Sequence, residues 1–167
     1  MKFIIVSDIH GNLNNTLKLL QEYKKLKADK LILLGDILYH GPRNPLPESY
    51  NTQAVFELLK KYKDKIIWIK GNCDSEVDEM VLEIKSLKEK KLKHAGYQLY
   101  LSHGHHFDPY NYEPLFKQIF LFGHYHLPLL EKTKDGIKAN PGSIGLPKNN
   151  LKASFIYLDE KKIVLKD

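Results

Sequence analysis

One cysteine, one arginine and one tryptophan stand among 167 residues, and no apolar run is longer than a handful of side chains. Cys73 alone cannot close an internal disulfide, which fits a reducing compartment, so the cytoplasm is the expected location. The apolar runs Leu31 to Leu34 and Ile119 to Phe122 fall far short of the roughly 20 residues that span a bilayer, so no membrane segment is expected. Met1 to Val6 is short and apolar like a signal h-region. It runs straight into Ser7-Asp8 without a small-residue cleavage site, and reads as a first buried strand. Strong charge of one sign is missing too: 26 basic against 20 acidic residues leave +6. The lysines are scattered over helical faces and turns without aromatic interleaving, so a dedicated nucleic-acid partner is not expected. Because every other basic residue is lysine, Arg43 is the one planar guanidinium. It is expected to fix the proline-rich loop that carries it, by packing or pairing, within the chain or across a subunit interface. The length leaves room for one domain, residues 1–167, with 43% apolar residues to fill its core.

Apolar patterning is present throughout. Met1 to Ser7, Lys30 to Leu34 and Ile66 to Lys70 read as buried strands. Between them lie a helix from Leu13 to Lys27, with Leu13, Leu17 and Leu20 on one face, and an amphipathic helix marked by Val55, Leu58, Leu59 and Tyr62. Tyr39 to Glu48, with three prolines, must be an ordered loop. The alternation predicts a largely parallel sheet. Further strands are expected at Tyr97–Ser102, Ile119–Phe122, Leu129–Glu131, Ile137–Ala139, Ser154–Leu158 and Lys162–Leu165, with turns at Asp135-Gly136 and Asp159-Glu160-Lys161. So many strands in so short a chain predict an α/β/β/α sandwich, two mixed sheets flanked by helices.

Polar donors recur where these strands end: Asp8 and His10, Asp36, Asn72, His103, then His124 and His126. In open α/β sheets, ligands bind beyond the carboxyl ends of the strands, so this placement gathers residues distant in sequence into one crevice. An Asp or Asn after a strand is by itself more often a cap, and a single His more often structural. The joint pattern reverses that reading. Two Asp, one Asn and four His suit two metal ions sharing a bridging carboxylate. Gly35, Gly71 and Gly123 each precede a candidate ligand, where the absence of a side chain lets the backbone turn sharply.

In order along the chain these motifs read D-x-H, G-D, G-N, H and G-H-x-H, and with Asn140-Pro141-Gly142-Ser143 they resemble the calcineurin-like metallophosphoesterase superfamily. The stretches Gly35 to Asn44 and Gly71 to Asp78 are similar to the small bacterial phosphodiesterases of the YfcE type. The resemblance implies that Asp8, His10, Asp36 and His126 bind one ion and that Asp36, Asn72, His103 and His124 bind a second. Asp36 would be the bridge. It further implies a hydroxide, activated by the pair, that attacks a phosphodiester or phosphomonoester in line. The N/O donor set suits Mn, Fe, Zn or Ni, and the family favours Mn. Much of the superfamily has histidine where Cys73 stands, and cysteine is not an equivalent cation. The catalytic set is therefore Asp36, Asn72, Cys73 and His105, the last as a proton donor or substrate contact. The competing expectation is a metal-binding interaction scaffold with little activity. A small substrate and a homo-oligomer complete the implied picture. Among neighbours, Asn12 is read as a helix cap or phosphate contact, His40 as facing the phosphate or packing on its loop, Asp74 as an orienting group or a cap on the Ser75 to Met80 turn, and Arg43 as fixing its loop, with direct phosphate contact the lesser alternative. Asn140 and Ser143 are read as shaping their loop, and His94 and His106 as exposed.

Overall fold

The computed structural model of the protein describes residues 1–167. In chain order the elements are β1 (Phe3–Val6), α1 (Leu13–Lys25), β2 (Lys30–Leu33), α2 (Thr52–Lys60), β3 (Ile66–Trp68), α3 (Glu76–Leu82), β4 (Glu89–His94), β5 (Tyr97–Ser102), β6 (Gln118–Leu121), β7 (Pro128–Lys132), β8 (Gly136–Pro141), β9 (Phe155–Leu158) and β10 (Ile163–Lys166). The strands form two mixed five-stranded sheets, ordered β10-β9-β1-β2-β3 and β4-β5-β6-β8-β7. At the centre of the first, β1 pairs in parallel with β2, and β2 with β3; in the second, β6 lies parallel to both β5 and β8. The expected two mixed sheets flanked by helices are the observed fold.

Strand periodicity divides the core in two. Phe3, Ile5, Ile32 and Leu34 point between the sheets, against Leu99, Leu101, Ile119 and Leu121. Their neighbours Ile4, Val6, Leu31 and Leu33 face the helices, packing with Leu19, Val55, Leu59 and Leu82. The outer face of the second sheet carries Tyr100, Phe120 and Phe122. It is covered by Tyr112, Tyr125 and Leu129, and the helical content there is one 3₁₀ turn, Pro109–Asn111.

Several local expectations shift. α1 buries Thr16, Leu19, Leu20 and Tyr23, an i, i+3, i+4, i+7 stripe, which leaves Leu17 exposed. Ser75 to Met80, read as a turn, is the start of helix α3, which runs on to Leu82 and opens on a reciprocal Ser75–Asp78 capping box. β4 was hidden by its charge: Glu89-Lys90-Lys91-Leu92-Lys93-His94 is an edge strand with an exposed outer side, and such strands carry lysine. Its last residue corrects an expectation of exposure. His94 is buried, its ring edge-on to Phe3 with centroids 5.0 Å apart. No helix is long and apolar enough to cross a membrane.

Candidate metal centre

The loops that leave β1, β2, β3, β5 and β6 meet at one rim, and backbone hydrogen bonds zip them together. Asp8 N–H donates to Gly35 O at 3.0 Å, His10 N–H to Asp36 O at 3.0 Å and Gly123 N–H to His103 O at 3.0 Å. The loop after β8 closes the rim: Ser143 Oγ donates to Asp8 O at 2.7 Å and Asn140 Nδ2 to Gly123 O at 3.0 Å. Both residues shape the loop, as expected. Asn12 caps α1 by accepting from Asn15 N–H, and also donates to Gly145 O.

The side chains that converge there are acceptors facing acceptors. A carbonyl only accepts, so the Nδ1 atoms of His10, His103 and His126 must donate to Tyr39 O, Leu34 O and Leu146 O. Each imidazole therefore turns a proton-free Nε2 into the rim. His10 Nε2 and His126 Nε2 lie 3.3 Å apart, and His126 Nε2 is 3.3 Å from Asp8 Oδ1. His103 Nε2 is 3.0 Å from Asn72 Oδ1 and 3.5 Å from Asp36 Oδ2, and Asp36 Oδ2 is 3.9 Å from His10 Nε2. Lone pairs this close repel unless a cation or an added proton stands between them. Asp8 Oδ1 is buried and has no hydrogen-bond donor. Two clusters result, Asp8–His10–His126 and Asp36–His103–His124, each with ligand atoms within 4.8 Å of one another. A third, His10–Asp36–Cys73, joins them through Asp36.

Holding these groups together strains the backbone. Asp8, His10, Asp36, His124 and His126 have φ of 56°, 47°, 56°, 69° and 61°, left-handed conformations that non-glycine residues seldom adopt. Of the three glycines expected to ease sharp turns, only Gly35 does so, with φ 96°. Gly71 and Gly123 serve by close approach: a Cβ on Gly71 would strike the Asp36 carboxylate, and one on Gly123 would strike Ser7 Oγ.

Burial works against ionisation of both carboxylates. His126 and His103 nonetheless hold Asp8 below the usual range, and His103, helped by the Cys73 N–H, does the same for Asp36. Conversely, burial would lower His103, but Asp36 and Asp8 push it up to about 9. The field is one that attracts cations, and a metal ion can take the place of those protons. Burial, then the Asp36 charge, pushes the Cys73 thiol up to about 12, and burial with His103 lowers His105 to about 4.

Every residue expected at the site is at or beside it. His105 lies edge-on to His103, ring centroids 5.2 Å apart, with a buried Nδ1 that has no partner. His40 packs edge-on between Tyr39 and Tyr50, and His106 is exposed. Asp74 caps no helix, since Ser75 does that. Its carboxylate instead gathers four N–H groups of the rim, from Asp36, Ile37, Gly71 and the Trp68 indole. Arg43 has no ion pair or hydrogen bond within the chain and is exposed, so a tie within its own loop has no contact to rest on. It lines a cavity of about 390 Å³ over the cluster, together with Asn44, Asn72, Cys73, Tyr125 and Lys148. Lys148, Tyr125 and Asn44 lie on loops or between ligands, where spacing carries no signal of their convergence.

The match to known proteins agrees with this geometry. Residues 1–162 fit the model of the calcineurin-like phosphoesterase superfamily domain, and the chain belongs to that family, whose members hydrolyse phosphate esters with divalent metal ions. It is 41% identical to phosphodiesterase YfcE of Escherichia coli K12, across 95% of this chain and 88% of that protein. The solved structure of that phosphoesterase superposes with a TM-score of 0.91 at 39% identity, covering 98% of this chain and 91% of the other. Vps29 of Entamoeba histolytica shares the fold at 14% identity, with a TM-score of 0.67 over 99% of this chain and 90% of its own.

Proposed function

We propose that the protein is a phosphodiesterase with two divalent metal ions, one held by Asp8, His10, Asp36 and His126 and the other by Asp36, Asn72, His103 and His124. The supporting observation is the set of mutually facing acceptors: three imidazoles locked by backbone carbonyls so that Nε2 lone pairs point at each other, at Asp8 and Asp36, and at Asn72. Bound there, such ions supply Lewis acidity toward phosphoryl oxygens and a hydroxide nucleophile at neutral pH. Asp36 reaches both clusters, as a bridging carboxylate must. Its orientation is set by the Cys73 N–H, which donates to Oδ1 at 2.8 Å. Cys73 stays a neutral thiol that tunes the site, and His105 stays neutral near pH 7, which suits a substrate contact rather than a proton donor. Oxygen and imidazole donors suit manganese, which the family resemblance favours over Fe, Zn or Ni. A cavity of about 390 Å³ suits a compact ester. The E. coli relative's name, phosphodiesterase, supports a diester substrate. The lone Cys73 fits a cytoplasmic setting.

The test is hydrolysis of bis(4-nitrophenyl) phosphate by protein stripped of metal and reloaded with Mn. Activity should vanish on stripping and return on loading. Fully loaded protein that turns over neither aryl diesters nor aryl monoesters would overturn the reading in favour of a metal-binding scaffold.

A further inference from the structure

The cavity over the cluster has a one-sided charge. Its lining includes the candidate ligands Asn72, His124 and His126 together with Arg43 and Lys148, but no Asp or Glu. Neither cation has a carboxylate partner anywhere in the chain, although ion pairs occupy Lys25, Lys60, Lys63, Lys85, Lys138 and Lys152. The chain's one guanidinium, the group best shaped for a bidentate grip on a phosphate or carboxylate, is thus kept free beside the site.

Both cations ride on loops tied to ligand-bearing residues. Asn44, next to Arg43, donates to His40 O at 2.8 Å; His10 Nδ1 holds the adjacent Tyr39 O at 2.7 Å; Gly41 lies against Cys73 Sγ. On the other side His126 Nδ1 donates to Leu146 O at 2.6 Å, and Leu146 N–H to Ser143 Oγ at 2.8 Å, which fixes the turn that presents Lys148.

Charge counting shows what such an arrangement suits. Two divalent ions, the Asp8 and Asp36 carboxylates and one hydroxide would leave a single positive charge, which a monoanionic phosphodiester already balances. Two more cations on the same cavity call for a second negative group on the substrate. We propose that Arg43 and Lys148 form an anion subsite beside the metal cluster, and that the substrate is a phosphoester bearing a further phosphate or carboxylate near the scissile phosphorus. This rests on the phosphodiesterase reading and names the substrate class for it.

The test uses Mn-loaded protein and three 4-nitrophenyl phosphodiesters with one leaving group and different second alcohols: ethyl, 3-carboxypropyl and 3-phosphonopropyl. Wild type should prefer an anionic ester over the ethyl ester by about tenfold in kcat/KM, mostly through KM, the effect of roughly one charge-assisted hydrogen bond. Whichever anionic ester is preferred identifies the group as carboxylate or phosphate. In the Arg43→Ala/Lys148→Ala double variant that ratio should fall toward one. Equal kcat/KM for all three esters in wild type, or a ratio that survives in the double variant, overturns the subsite. Calorimetric binding of 3-phosphonopropionate against propylphosphonate separates this from the activity itself. Preference for the dianionic probe in wild type and its loss in the double variant uphold the subsite even if no ester is hydrolysed; equal binding of the two probes refutes it.

Discussion

The carboxylate of Asp74 holds the backbone N–H of Asp36 at 2.9 Å, so one buried acid sets the position of another that lies 38 residues away. Its other acceptor positions take Ile37 N–H at 2.8 Å, Gly71 N–H at 2.7 Å and the Trp68 indole at 3.2 Å. The loops after β2 and β3 are joined through this single side chain.

Asp74→Ala should therefore be among the costliest substitutions outside the ligand set. It strands several buried donors, each worth about 1–3 kcal/mol when left unsatisfied, and should destabilise the protein by about 3–5 kcal/mol. Asp74→Asn keeps one acceptor and should lose less. Urea unfolding of metal-free protein measures both. A cost for Asp74→Ala below about 1 kcal/mol contradicts the role.

Cys73 should tune catalysis without being essential to it. Cys73→Ala on an aryl diester should fall well short of the roughly 10²–10⁴-fold loss that follows removal of a needed general acid, because an aryl leaving group requires little protonation. Cys73→His should help esters with poor leaving groups, since an imidazole can protonate the departing oxygen near neutral pH. Rates across leaving groups of graded pKa, at equal metal occupancy, decide it. A metallated but inactive Cys73→Ala makes the thiol indispensable and the account wrong.

Glu83 ends α3 in a left-handed conformation and is clasped by Lys60 and Lys63, whose ammonium groups lower its carboxyl to about 2. A depressed carboxyl stabilises the fold fully above its unfolded value near 4.3, and that contribution fades as pH falls toward 2. Glu83→Gln should accordingly be less stable than wild type at pH 6, with the gap closing between about pH 4.3 and 2 and shrinking in high salt. Urea midpoints at several pH values test this. A gap independent of pH contradicts the ion-pair assignment.

How much was legible in the sequence follows from how local each signal is. Strands such as Phe3–Val6 are buried on both faces and announce themselves as apolar runs, and the ligands follow directly at their ends. β4 went unseen because an edge strand is written in charge. Asp74 looked like a cap because the two donors that give it its joining role, the N–H groups of Asp36 and Ile37, lie 38 and 37 residues away. The left-handed conformations at Asp8, His10, Asp36, His124 and His126 were not legible in the sequence: Asp and His tolerate that region better than most residues, but the packed rim decides which of them adopt it. Arg43 drew notice by its rarity, but that it lines one cavity with Lys148 depends on two loops meeting.

The bridging role of Asp36 is the centre of the account, and metal stoichiometry tests it most directly. Mn-loaded wild type, freed of loose metal by gel filtration and measured by mass spectrometry of the metal, should hold two ions per chain. Asp36→Ala, folded by circular dichroism, should hold neither, because in the proposed assignment both ions lose their shared carboxylate. A folded Asp36→Ala protein that keeps two tightly bound ions per chain would contradict the account.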